Sequence, residues 1–183
     1  MLHLPPIPSW DALHPLIIHF PIALLLIAPI FILVGAVLRP DKGRSYLIAA
    51  LVLLLVGTAA IFVAVETGEA AGKLAERVPG MDRVLETHES LAERTRAVFT
   101  VLSVIFVALL AAPRLLKKTD TRLTTTILPL AFLVLYGAGA LLLVNTAHNG
   151  GRLVHEFGVR AMVASSPANA TSAVPFEPEQ EKD

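Results

Sequence analysis

The feature that most limits the fold of this chain is a run from Leu16 to Leu38 that contains no Asp, Glu, Lys or Arg. A helix of about 20 apolar residues is long enough to cross the hydrocarbon core of a bilayer. Three later runs are also strongly apolar, with Arg114 near the end of one of them, and the composition agrees, with 55% hydrophobic and 16% charged residues. We therefore predict four membrane spans, at about residues 16–38, 46–65, 97–116 and 125–147.

The connection between spans two and three is predicted to be helical beyond the membrane. Span two continues without a break signal through Glu66 to Arg77, and Pro79-Gly80 then marks a turn. A helix from Asp82 leads into span three, because its apolar residues recur at helical spacing. The sequence thus predicts an all-α fold, an integral membrane four-helix up-down bundle with an extended extramembrane helical hairpin between spans two and three.

The bundle is predicted to cover residues 1–163, with a disordered tail at 164–183, where Ser, Pro, Ala and Glu predominate. The two short turns between spans are basic, whereas the middle loop mixes bases with acids. Short basic loops stay in the cytoplasm, so both termini and the long hairpin are predicted to lie on the periplasmic side. The basic residues of these turns are Arg39, Lys42 and Arg44, then Arg114, Lys117, Lys118 and Arg122.

Five histidines are predicted to gather at the outer mouth of the bundle. His14 and His19 stand at the start of span one, and His88 lies on an apolar stripe before span three. His148 ends span four, and His155 follows it. Ionisable residues at the end of apolar spans are candidates for function, and helical bundles build cofactor sites from facing helices. We expect His88 to face a neighbouring helix or the bundle axis.

The residue types restrict the chemistry that such a group could perform. The chain has no Cys, which excludes disulfides, thiolate zinc sites and covalent c-type haem. A net charge of zero gives no indication of nucleic-acid binding. Imidazole without thiolate suits haem iron, copper or zinc. A b-type haem would need one histidine on each side and small residues such as Ala60, Ala64 and Gly68 along its plane, whereas a copper or zinc ion would draw in three or four histidines, with Glu66 or Glu69.

Two local expectations concern the ends of these spans. Pro21 removes a backbone N–H, so it is expected to loosen the helix beside His19. The pair Gly150-Gly151 is expected to end span four, with a separate amphipathic piece at 152–163 that carries His155.

Two motifs carry a resemblance to a known family. The opening His14-Pro15-x-x-x-His19-Phe20-Pro21 and the later Thr146-Ala147-His148-x-Gly150-Gly151 resemble those of bacterial inner-membrane proteins grouped as domain of unknown function 2231. The resemblance implies a four-span module in the bacterial inner membrane, with a further histidine before span three that His88 would match. Some relatives are fused to c-type cytochrome domains, which implies redox work. In such proteins the position of His155 is more variable and often aromatic.

These observations lead to one hypothesis and two alternatives. We expect a membrane-bound b-type haem protein for periplasmic electron transfer, a subunit or partner of a larger redox complex rather than a stand-alone enzyme. Its partners would be the lipid bilayer and other membrane redox subunits or a periplasmic cytochrome. The axial ligands would come from His14, His19, His88 and His148. A copper or zinc binding or transfer protein, with His155 added to the ligands, and a cofactor-free structural subunit are the alternatives.

Overall fold

The computed structural model describes residues 7–75, 78–115 and 121–159, and within these ranges the regular structure is entirely helical. The elements are a 3₁₀ turn (Asp11–Leu13), α1 (His14–Ile17), α2 (His19–Val37), α3 (Pro40–Leu74), α4 (Met81–Leu115), a π-helical turn (Leu123–Ile127) and α5 (Leu128–His155). Four segments are long and apolar enough to cross a membrane: Asp11–Val37, Pro40–Leu74, Met81–Pro113 and Leu123–His155. The predicted four-span, all-α membrane fold is confirmed.

Some predictions concern residues outside the described ranges. These are Arg77, the lysines Lys117 and Lys118 of the second basic turn, and the tail at 164–183. The first basic turn is described, and it is shorter than expected. Only Leu38 and Arg39 are extended between α2 and α3, since Pro40 already begins α3. Proline suits the first turn of a helix because its missing N–H has no partner there anyway.

The predicted extramembrane hairpin is present, because α3 and α4 each continue in one piece beyond the apolar part of the bundle. Gly80 adopts a φ of 84° in the turn between them, a conformation that favours glycine. Met81, Val84 and Leu85 at the start of α4 are buried in a cluster with Leu153 of α5. The hairpin is therefore packed against the last turn of α5.

The chain is interrupted at Ile18, between α1 and α2. Pro21 has no N–H to donate to the carbonyl of Ile17, and the helical ladder is broken at this point. The Ile18 N–H donates to the carbonyl of His14 at 3.1 Å. The expectation that Pro21 loosens the helix beside His19 is confirmed, and His14 stands on its own short turn.

The expectation that Gly150-Gly151 ends the fourth span is wrong. Helix α5 continues through both glycines to His155, so there is no separate amphipathic piece that carries this histidine. The last turn of α5 is held by the burial of Leu153 against the start of α4. The chain leaves the helical path later, near Gly158, which has a φ of 67°.

A second proline creates an interhelical hydrogen bond. Pro29 lies inside α2 and has no N–H for the carbonyl of Leu25, its usual partner four residues earlier. The buried Tyr136 hydroxyl of α5 donates to this carbonyl at 2.7 Å. The freed carbonyl is thus satisfied from a neighbouring helix, which fixes α5 against α2.

The bundle consists of two hairpins with the same pattern of burial. We call α1–α3 the first hairpin and α4–α5 the second. Four buried positions of α2 and four of α4 share one spacing: Pro21, Leu25, Ala28 and Ile32 match Thr95, Phe99, Leu102 and Phe106. Six buried positions of α3 and α5 also correspond: Leu47, Ala50, Leu54, Gly57, Ile61 and Ala64 match Pro129, Phe132, Tyr136, Gly139, Leu143 and Thr146. The helices also bury residues outside these sets, such as Gly35 in α2 and Ser103 in α4.

The packing of the helices shows how the two hairpins are arranged in the bundle. Helix α2 packs on α3 and α4 packs on α5, while the two hairpins meet at the α3–α4 and α2–α5 interfaces. Helices α2 and α4 run in the same direction, and so do α3 and α5. The second hairpin is therefore related to the first by an approximate two-fold rotation about the bundle axis.

Candidate cofactor site

His14 is held by the second helix of its own hairpin. Its half-buried imidazole places Nδ1 2.9 Å from the carbonyl oxygen of Ala64 and 3.3 Å from the hydroxyl of Thr67. A carbonyl oxygen can only accept, so Nδ1 carries the proton and donates it. In the neutral imidazole Nε2 then keeps its lone pair. The Thr67 hydroxyl donates to the carbonyl of Val63 at 2.9 Å or of Ala64 at 3.1 Å, which leaves its oxygen free to accept from Nδ1.

His88 repeats this arrangement in the second hairpin. It is half-buried, and its Nδ1 donates to the carbonyl oxygen of Thr146 in α5 at 2.9 Å. The same tautomer follows, with a lone pair on Nε2. This confirms the expectation that His88 faces a neighbouring helix. The hydroxyls of Thr95 and Thr146 lie 2.8 Å apart beside it and join α4 to α5.

A glycine faces each imidazole. A β-carbon built on Gly68 would lie 2.8 Å from Cε1 of His14, and one built on Gly150 would lie 2.9 Å from Cε1 of His88. Each glycine stands four residues after the residue whose carbonyl accepts the Nδ1 hydrogen bond, which is Ala64 or Thr146. Absence of a side chain at these two positions is what lets each ring approach the carbonyl.

The two imidazoles lie in one neighbourhood. His14 and His88 lie within electrostatic range of each other, although they belong to different hairpins. They also occupy equivalent positions, since each donates to the matched residue of its partner helix. We call them the inner pair. The structure thus brings together two of the five histidines that the sequence singled out.

The other three candidates lie at the surface. His19 at the start of α2, His148 in α5 and His155 at the end of α5 are all exposed. Across residues 7–75, 78–115 and 121–159, no group of three or more His, Cys, Asp or Glu is placed to hold a metal ion. A cluster of three or four histidines around one ion, as expected for copper or zinc, is therefore not formed within these ranges.

Charged residues form ion pairs on the surfaces of the helices that carry the inner pair and its acceptors. Arg96 of α4 contacts Glu93 at 2.6 Å and Glu66 of α3 at 3.7 Å, and its guanidinium lies 5.5 Å from the centre of the Phe62 ring. Near the end of α5, hydrogen bonds from Arg152 lower the pKa of the Glu156 carboxyl below its usual value. Glu66, considered from sequence as an added metal ligand, is engaged in an exposed ion pair.

The site depends on three features that sequence reasoning did not assign. They are the backbone carbonyls of Ala64 and Thr146, the contacts of the two rings with Gly68 and Gly150, and the Thr95–Thr146 hydroxyl pair. Gly68 was expected to lie along the plane of a haem, whereas in the structure it faces the ring of His14. The pair Gly150-Gly151 was a signal of this site in the sequence. Its first residue, Gly150, lets the His88 ring approach α5 closely and does not end the helix.

A family model described as a predicted membrane protein (DUF2231) matches residues 10–162. The chain belongs to this family. Comparisons with curated proteins and with solved structures find no match. The matched region of this DUF2231 chain includes both imidazoles of the inner pair, their two acceptor carbonyls and their two glycines.

Proposed function

We propose that this chain is a membrane-bound b-type haem protein that transfers electrons at the periplasmic side, with His14 and His88 as the axial ligands. One observation carries the proposal. Both half-buried imidazoles donate Nδ1–H to a backbone carbonyl at 2.9 Å, which leaves Nε2 as the metal-binding nitrogen in each. A histidine that binds a metal usually donates its other ring N–H in this way, because the bond fixes the tautomer and the orientation of the ring.

The number of ligands favours haem over a bare ion. Haem iron takes four nitrogens from its macrocycle and needs only two axial ligands from the protein. A structural zinc ion needs four protein ligands, and a catalytic one needs three. The inner pair offers two imidazoles, with no third His, Cys, Asp or Glu grouped with them in the described ranges. The donor set therefore fits a haem.

The residues of the chain would perform three tasks around the haem, which supplies one-electron chemistry when bound. Ala64 and Thr67 would hold His14, and Thr146 would hold His88. The Thr95–Thr146 contact would keep α4 and α5 in register beside the imidazole of His88. The buried Phe99, one turn below Thr95, belongs to the apolar core and would exclude water, and such a shell influences the redox potential.

The charge pattern supports the proposed location. Arg39 in the connection after α2 and Lys42 in the first turn of α3 favour a cytoplasmic position for that end of the bundle. The inner pair lies at the opposite end, which corresponds to the periplasmic face of a bacterial inner membrane. There it would exchange electrons with other membrane redox subunits or a periplasmic cytochrome.

The test is an absorption spectrum of the protein purified from membranes supplied with haem. We expect a Soret band, a sharp α-band on reduction, and the low-spin signal of bis-imidazole iron. His14→Ala and His88→Ala should each remove the low-spin signal, whereas His155→Ala, at the exposed end of α5, should retain it. A protein without bound haem, or a low-spin haem retained in both variants, would contradict the proposal.

A further inference from the structure

The two hairpins differ at the surface beside the inner pair, although their positions match. His19 lies five positions after His14, and Glu93 lies five positions after His88. Glu66 lies two positions after Ala64, and His148 lies two positions after Thr146. His19 therefore occupies the position of Glu93, and His148 occupies the position of Glu66. Each hairpin carries one histidine where the other carries a carboxylate.

The two carboxylates show how close together these positions lie. Glu66 of α3 and Glu93 of α4 lie on opposite sides of the α3–α4 interface, and both contact Arg96, at 3.7 Å and 2.6 Å. The two positions thus lie close enough for one guanidinium to contact the side chains of both.

The approximate two-fold rotation carries the α3–α4 interface onto the α5–α2 interface. Helices α2 and α5 pack against each other, and the Tyr136 hydroxyl donates to the Leu25 carbonyl across that interface. His148 and His19 therefore lie on opposite sides of it, as Glu66 and Glu93 do at the other interface. The position of Arg96 is taken by Ile22, three residues after His19, so no cationic side chain occupies the matched position.

We propose that His19 and His148 form a second site, which binds a divalent transition-metal ion such as Zn²⁺ across the α2–α5 interface. Neutral imidazole is a common ligand of these ions. Both residues are exposed, unlike the inner pair. Two histidines are fewer than the three or four protein ligands of catalytic and structural zinc sites, so this ion would be exchangeable and weakly bound, with water completing its coordination. The site is independent of the haem proposal, because it uses neither His14 nor His88.

The experiment uses the full chain as purified in detergent, stripped of loosely bound metal with a chelator. Zn²⁺ is titrated in competition with a chromophoric chelator. We expect binding to weaken at least tenfold in His19→Ala and in His148→Ala. The double variant should be no weaker than either single one, because one imidazole alone cannot chelate. Circular dichroism confirms that each variant is folded.

Three controls make the result decisive. His155→Ala removes an exposed histidine of α5 outside the proposed site and should leave Zn²⁺ affinity unchanged. The double variant His14→Ala/His88→Ala should also retain it, which separates failure of this proposal from failure of the haem proposal. Copper EPR of the wild type should report two nitrogen donors. Unchanged Zn²⁺ affinity in either His19→Ala or His148→Ala would overturn the inference, as would a second haem that depends on these residues.

Discussion

The imidazole of His88 lies directly against Gly150 of α5, where a β-carbon would come within 2.9 Å of Cε1. Gly150→Ala should displace the ring and break its hydrogen bond to the Thr146 carbonyl. Loss of such a supporting bond typically weakens metal binding about 10- to 100-fold, and we expect a similar loss for haem. The haem-to-protein ratio after purification and a haem titration measure the effect.

The adjacent residue provides the matched control for this substitution. A β-carbon on Gly151 would meet nothing within 4 Å, so Gly151→Ala should leave haem content unchanged. Gly68→Ala, which would crowd His14 at 2.8 Å, should behave like Gly150→Ala. Equal haem content in Gly150→Ala and Gly151→Ala would show that the close approach has no role in binding.

The hydrogen bond from Tyr136 to the Leu25 carbonyl should contribute to stability through Pro29. Tyr136→Phe leaves that buried carbonyl without a donor, and we expect a loss of about 1–3 kcal/mol in the free energy of unfolding. Pro29→Ala restores a backbone N–H for the same carbonyl. Tyr136→Phe should therefore cost less in a Pro29→Ala background, as measured by reversible unfolding in SDS. Equal costs in the two backgrounds would refute this account.

The approach of α2 and α3 near their connection should be intolerant of a methyl group. A β-carbon on Gly43 would overlap the carbonyl oxygen of Gly35, and a backbone atom cannot move aside as a flexible side chain can. Gly43→Ala should therefore destabilise the bundle by roughly 1–3 kcal/mol.

The control for this prediction is Gly137→Ala, in an open part of α5 where the new β-carbon meets nothing within 4 Å. It should be neutral or stabilising by up to about 1 kcal/mol, because alanine favours helix. Thermal or SDS unfolding of both variants gives the comparison. A stable Gly43→Ala protein would mean that the two helices can separate at little cost.

The orientation in the membrane can be tested by labelling, since the chain has no cysteine of its own. Ser90→Cys places a thiol on the exposed outer part of α4, and Lys42→Cys places one near the start of α3. A membrane-impermeant maleimide should label Ser90→Cys in cells with a permeable outer membrane, and Lys42→Cys only after lysis. The reverse pattern would place the histidines on the cytoplasmic side.

The sequence was sufficient for the spans and for the hairpin between α3 and α4, because both depend on local signals. Long uncharged runs define the membrane helices, and the apolar spacing around His88 placed that ring against a neighbouring helix. Pro21 also acted locally, by interrupting the helix at Ile18. Such effects require no knowledge of which helix packs against which.

The remaining features depend on tertiary contacts. Gly150-Gly151 has the composition of a helix end, yet burial of Leu153 against the start of α4 outweighs the low helix propensity of glycine. The acceptors for His14 and His88 are backbone carbonyls, which leave no mark in the residue types. The relation between the hairpins was also hidden, because matched positions such as Pro21 and Thr95 share burial but not chemistry.

The matched burial of the two hairpins has a consequence for how such a chain could arise. Each hairpin enters and leaves on the same side of the membrane, so a second copy can be appended without reversing either one. Fusion of two genes for a symmetric homodimer produces this layout. In a single chain with this layout the two interfaces between hairpins are free to differ, as they do here, with carboxylates around an arginine at one and histidines at the other.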